Sequence, residues 1–197
     1  MQEVHALKEW KVAVEALEQG EMFLLLRKGG IREVGGRFSL IHDRVLLYPT
    51  YEHQKPHLLK AKYASQVVPV EPGWHPSTVR IGSWAVITDT FQVTNPAWLD
   101  ALLPFHIWNP DFVFERLKWK PSQFLSLLLL RVYRLASPVI IPYDPGYGSC
   151  KSWLDLHQAI ALDHSIPVFT QEEYQQQVSK IQAIVGQQEA GAGGSAD

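Results

Sequence analysis

The sequence predicts an α+β protein: a curved, mainly antiparallel sheet or partly open barrel, packed by several short helices. Three observations carry this. Short β-rich runs separated by glycines recur between Met22 and Val93. Asn95-Pro96 and Asn109-Pro110 each set a capping side chain before a proline at the first helical position, where the missing N–H costs nothing. Leu7, Trp10, Val14 and Leu17 recur at helical spacing, with Gly20 just past the end as a stop.

Taken in order, a first helix is predicted over about Leu7–Glu18, and Met22–Arg27 reads as a strand. Gly29-Gly30 permits the positive φ of a tight turn, and Gly35-Gly36 repeats it before a strand at "RFSLI". "RVLLYPT" is another strand, ended by Pro49. The prolines and glycine of "VVPVEPGWHPST" (67–78) predict an irregular crossing between lobes. "TVRIGSWAVITDTFQVT" reads as a hairpin turning at Gly82-Ser83, after which short helices follow the two Asn-Pro pairs. Phe124–Leu135 and "PVIIPY" are inner strands, and "SCKSWLDL" is a helical turn after the glycine loop "DPGYGS". Thr170 and Glu173 make a capping box for a last helix to about Val185. Residues 1–185 are expected to form one domain and 186–197 a disordered tail.

A chain of 197 residues can bury a substantial core. A net charge of −2 and a pI near 6.4 exclude a uniformly basic coat, so a polyanion would need a local patch. Between Arg27 and Lys62 stand eight Lys/Arg against three Asp/Glu, a local balance of +5; the rest of the chain has ten basic and seventeen acidic residues. One cysteine, Cys150, allows no internal disulfide, and "MQEVHALKEW" has no leader character, which together predict a reducing cytoplasm. The run "FLSLLLLRVYRL" is too short for a bilayer and carries Arg131 and Arg134, so it is a buried strand and no membrane partner is expected.

Two neighbouring stretches hold the candidate chemistry. Arg27, Lys28, Arg32 and Arg37 surround two Gly-Gly pairs, where exposed backbone N–H groups and guanidinium forks can hold phosphate oxygens. Neither G-x-x-x-x-G-K-[ST] nor G-x-G-x-x-G is present, so nucleoside triphosphates have no specific support. "HDRVLLYPTYEHQKPH" then packs His42, Arg44, Tyr48, Thr50, Tyr51, His53, Gln54, Lys55 and His57 together, rings among cations and amides as a base-stacking groove requires. The competing reading makes the tyrosines half-buried strand ends and the histidines solvated.

Other constellations are weaker. His53 and His57 are four apart, but Pro56 between them opposes a helix, and there is no H-E-x-x-H or cysteine cluster. No metal or other cofactor is expected. Cys150 beside Lys151 has a setting that can activate a thiol, without an identifiable base. "EWK" at Glu9–Lys11 has the letters of a metal nuclease but falls on the predicted first helix, the wrong element.

At "ALKEW", "LLLRKGGI", "LLYPTYEHQKP" and "YGSCKSWLDL" the chain resembles a bacterial family called domain of unknown function 1802, over about Ala6–Leu156. That family keeps company with restriction systems and is sometimes fused to a restriction-endonuclease catalytic domain, which implies a nucleic-acid context. More distantly, helix, Gly20, strand and mixed barrel resemble PUA-like domains, including the ASCH group. The ASCH pattern has glycine, lysine two on, glutamate five on and arginine seven on. Gly20 and Arg27 are in register, while Met22 and Leu25 stand at the lysine and glutamate positions. That departure favours binding over hydrolysis.

The leading expectation is a nucleic-acid-binding module. Arg27, Lys28, Arg32, Arg37, Arg44 and Lys55 supply cations, Tyr48 and Tyr51 stack, His53 and Gln54 reach base edges, and His42 belongs to the same binding set. Replacing Arg27 and Lys28 together by alanine would then weaken polyanion binding and leave folding intact. A phosphodiesterase or base-modifying hydrolase in the same groove, with His42, His53 or Glu52 as acid or base, is the enzyme alternative. A protein-interaction scaffold is the third, for which "PFHIWNPDFVFERLKW" offers aromatics.

Overall fold

The computed structural model describes residues 1–28, 31–34, 37–40, 42–93, 97–118, 124–148 and 151–186, with 31–34 and 37–40 described by backbone alone. In chain order the elements are β1 (Gln2–Trp10), α1 (Lys11–Gln19), β2 (Leu24–Lys28), β3 (Ile31–Val34), β4 (Arg37–Leu40), β5 (Arg44–Thr50), α2 (Ala61–Ala64) and β6 (Thr78–Val93). There follow α3 (Ala97–Leu102), α4 (Pro110–Lys118), β7 (Leu125–Pro142), β8 (Trp153–Ala161), β9 (Ile166–Pro167) and α5 (Gln171–Gly186). The seven-stranded sheet runs β2-β7-β6-β5-β1-β8, with β9 against β7. Only β1 and β5 are parallel in it. β3 and β4 make a separate hairpin. The fold is therefore α+β on a mixed, mostly antiparallel, open sheet with short helices, as expected.

The first predicted helix is half strand. Ala6 and Leu7 point into opposite core clusters, as successive strand residues must. β1 is laddered on both sides, to β5 and β8, and two ladders outweigh a weak helical preference. The helix begins only at Lys11; it buries Val12, Ala13, Val14, Ala16 and Leu17 and stops at Gly20, whose φ of 74° is the left-handed cap the glycine predicted. The glutamate and lysine of "EWK" are thus split, Glu9 on the strand and Lys11 on the helix.

Gly82-Ser83 is not a hairpin turn. β6 is one strand of 16 residues against the 18 of β7, so the two predicted inner strands also merge. Between the pairs Ser83↔Arg134 and Ile81↔Val139, β7 carries extra residues through Pro138. Proline has no N–H for the ladder, and the surplus residues bulge out there. Gly82 leaves room for the Arg80–Glu18 ion pair, which a Cβ would strike. "SCKSWLDL" is no helical turn either: from Trp153 it is β8, with Leu154 and Leu156 buried and Asp155 and His157 exposed. Strand β5 continues through Pro49 to Thr50.

Both sheet faces are covered. Along β5, Val45 and Leu47 enter the larger core with α1, α3 and α4, while Leu46 and Tyr48 enter a smaller core with Trp84, Leu154 and Leu156. Residues 67–77 contain neither helix nor strand. The Thr170–Glu173 capping box is present: the Thr170 N–H donates to Glu173 Oε2 at 2.8 Å, and the Glu173 N–H to Thr170 Oγ1 at 3.2 Å. The Asn95-Pro96 cap and the tail 187–197 lie outside the described residues. Among the described residues no helix is long and apolar enough to cross a membrane.

Asn109 caps α4 and also ties it to the segment before α2. Its Oδ1 accepts from the Phe112 N–H at 3.2 Å, and its Nδ2 donates to the His57 carbonyl at 2.7 Å. Asn109→Ala removes a cap and leaves a carbonyl short of a partner, an expected loss of about 2 kcal/mol. Thermal unfolding should show a Tm lower by about 4–8 °C.

His106 is 2% exposed, and burial, aided by the charge of Lys60, lowers its imidazole to about 4. The unfolded chain therefore binds a proton that the folded one refuses, and stability falls as pH drops from about 6.5 toward 4. About 3 kcal/mol is expected to be lost across that window, and denaturant titrations of His106→Leu should lack that part of the pH dependence.

Candidate functional site

β1 and β5 run parallel, and their C-terminal ends, Trp10 and Thr50, are the last paired residues. A cleft of about 210 Å³ opens there, where β2, α4 and the segment at 151–152 converge. Its lining includes five cationic side chains, Lys8, Arg27, Lys28, Arg116 and Lys151, against the carboxylates of Glu9 and Glu52. Three positive charges are left over. A cleft with low-dielectric walls concentrates such a field on an entering anion.

Four of the five cations are held by backbone carbonyls, by a carboxylate or by a ring. Lys8 donates from Nζ to the carbonyls of Tyr147 at 2.8 Å and Gly148 at 3.3 Å, and its N–H donates to the Ser152 carbonyl at 2.8 Å. These bonds dock the segment carrying Lys151 onto β1. Arg27 Nη1 donates to Glu9 Oε2 at 2.8 Å and to the Lys8 carbonyl at 3.2 Å, with the paired side chains only 12% and 11% exposed. Lys28 Nζ donates to the Leu117 carbonyl at 2.9 Å, and burial lowers its ammonium below the ordinary value. Arg116 lies 4.9 Å from the Phe112 ring centroid; burial lowers its guanidinium, Glu9 opposing and Arg27 adding to the effect. Lys151 is exposed at the rim.

Beside this cleft lies an aromatic recess that shares Lys8, Thr50 and Glu52 with it. Tyr51 and Trp74 meet edge to face at 5.7 Å, and Trp74 is 44% exposed. His75 stacks on Tyr143 at 3.5 Å. Burial, then Glu52 and Asp144, raise the Tyr143 phenol, which stays a neutral hydrogen-bonding group. His53 lines the cleft with φ 61°, a left-handed conformation that histidine tolerates better than most residues.

The residues expected from the sequence divide. Arg27, Lys28 and His53 line the cleft, Tyr51 lines the recess, and Lys55 lines an adjoining hollow with Trp10 and Phe112. Lys55 Nζ is 2.8 Å from Glu115, which also meets His57 at 3.6 Å. Tyr48 is 3% exposed, in the smaller core; burial, with Tyr143, Tyr147 and Asp144, raises its phenol. Its face is not open for stacking. Gln54 accepts the Val12 N–H on Oε1 at 3.1 Å and so caps α1, whose own cap position is the apolar Trp10. Its carbonyl is used by the fold rather than by a base.

His42 and Arg44 are elsewhere, at the start of β5: His42 stacks on His5, and Arg44 lies over Trp84. The side chains of Arg32 and Arg37, and all of Cys150, lie outside the described residues. Among the described residues His53 and His57 belong to no cluster of three metal-ligating side chains.

Sequence reasoning missed Lys8, Glu9, Trp74, His75, Arg116, Tyr143 and Lys151 as lining residues. A tryptophan between glycine and histidine in a proline-rich crossing was a usable signal for Trp74. For Lys8 and Glu9 the signal was hidden by the assignment to helix, and Arg116 had none.

A family model described as domain of unknown function (DUF1802) matches residues 6–180. No curated protein matches the chain. Among solved structures, the chain is similar to a serine-to-alanine variant of ZmASCH from Zymomonas mobilis, at 12% identity and a TM-score of 0.46, covering 89% of this chain and 94% of that one. A tyrosine-to-phenylalanine variant of the same protein gives 12% identity and a TM-score of 0.44, covering 89% and 96%.

Arg27 and Lys28 are too buried for the simple expectation that alanine there leaves folding intact. Glu9→Gln strands the Arg27 guanidinium without a counter-charge in a nearly closed site, an expected cost of about 3 kcal/mol. The Tm should fall by about 6–12 °C; a fall of less than about 2 °C would mean that the pair does not hold this corner together.

Proposed function

This chain belongs to the domain of unknown function family DUF1802, and we propose that it is a nucleic-acid-binding module that takes single-stranded RNA or DNA. One observation carries the reading: an exposed tryptophan, packed edge to face on a half-buried tyrosine, borders a cleft with a three-charge positive surplus, and the two share lining residues. A nucleotide presents the same pairing, a flat base next to a phosphate. Stacking of a base on an aromatic face stabilises by about 1–3 kcal/mol without sequence preference, and Lys8 and Lys151 stand where the adjoining phosphates would lie. Such a module suits a role in restriction or in RNA metabolism, the context that the family resemblance implies.

A second reading is favoured by Glu52 and His53 facing the same cleft. They could serve as acid and base on a phosphodiester or a base, and cleaved or altered strands after incubation would identify that activity.

The test is fluorescence anisotropy with labelled single-stranded RNA, single-stranded DNA and duplex over a salt series. Binding to a single strand with a slope of log K against log salt near −0.7Z, Z about three, is expected. Trp74→Ala should weaken it by about 5–150-fold with an unchanged Tm, and Lys151→Ala should lower Z by about one. No binding to any strand at low salt would overturn the proposal.

A further inference from the structure

We infer that His5, His42 and Asp155 form a binding site for a first-row divalent transition metal of the zinc class. The three residues come from β1, from the segment entering β5, and from the edge strand β8, and each offers a ligand atom within 4.8 Å of the others. His5 Nδ1 is 2.7 Å from Asp155 Oδ1. The His5 and His42 rings stack with centroids 3.5 Å apart and planes 10° from parallel. Trp153 meets the His42 ring edge-on at 6.4 Å and walls the site on one side.

Two imidazole nitrogens and a carboxylate suit zinc, nickel or cobalt rather than magnesium or calcium, which prefer all-oxygen shells. Binding requires the two rings to turn out of their parallel stack so that their in-plane lone pairs meet at one point; the ion then takes the place of the proton between His5 and Asp155, and water completes the shell. Asp155 is 77% exposed at its side chain, which leaves an open approach.

His5 precedes Trp10 by five strand residues, about 17 Å. The ion therefore stands apart from the basic cleft and acts as a clip, joining the start of β5 to the β1–β8 edge. Its failure would leave the nucleic-acid reading untouched.

The test uses the full chain, stripped with chelator and titrated with zinc chloride by calorimetry. One zinc per chain is expected, with a visible d–d spectrum when Co²⁺ is substituted. His5→Ala and His42→Ala should each weaken binding at least about tenfold, and His57→Ala should not. Zinc should raise the Tm of the parent protein and not of those variants, whose zinc-free melts show that they fold. Absence of stoichiometric binding, or equal affinity in His5→Ala and His42→Ala, would overturn the inference.

Discussion

The Arg27–Glu9 ion pair is the contact on which the shape of this protein turns. β2 and β1 are separated by β7, β6 and β5 in the sheet, yet Arg27 on β2 reaches both the carboxylate of Glu9 and the carbonyl of Lys8 on β1. Such a reach requires the sheet to curl until its β2 edge meets the end of β1. The curl makes the cleft. Desolvating two charges offsets much of their attraction, so the pair adds little net stability over an apolar substitute. Its effect is on geometry: the two bonds that Arg27 Nη1 makes, to the Glu9 carboxylate and the Lys8 carbonyl, fix where β2 lies over β1.

The same pair sets the electrostatics of the cleft. Arg27 is largely neutralised at the floor, and Lys28 is engaged by the Leu117 carbonyl, so an entering polyanion meets the outer cations first. Arg116, held against Phe112 on α4, adds charge from the far wall. Asn109 caps that helix and bonds the His57 carbonyl, and Gln54 caps α1 from the loop that also carries His53. The polar groups around the cleft are thus mostly structural, and Trp74, His53 and Lys151 are exposed beside them. β1 links this region to the His5–His42–Asp155 cluster toward its other end.

Much of the local structure was legible. Gly20 announced the left-handed stop of α1, Asn109-Pro110 the start of α4, and Thr170 with Glu173 the start of α5, because caps and stops are made by residues within a few positions of one another. Leu7 and Trp10 misled because three-residue spacing on a strand looks like helix until the partner strands are known. Gly82-Ser83 misled for a related reason: a bulge and a turn use the same residues, and only the register against Pro138 separates them.

By itself the sequence determined the α+β class, the segregation of positive charge between Arg27 and Lys62, and the caps, and it singled out Arg27, Lys28, Tyr51 and His53, which line the cleft and its recess. Tertiary structure alone decided that Tyr48 is core, that Gln54 is a cap, and that Lys8 joins Arg116 in the cleft and Trp74 and Tyr143 in the recess. The physical reason is range. Propensity, capping and alternation act over a few residues, whereas the cleft is assembled by the curl of a sheet whose adjoining edges are far apart in the ladder.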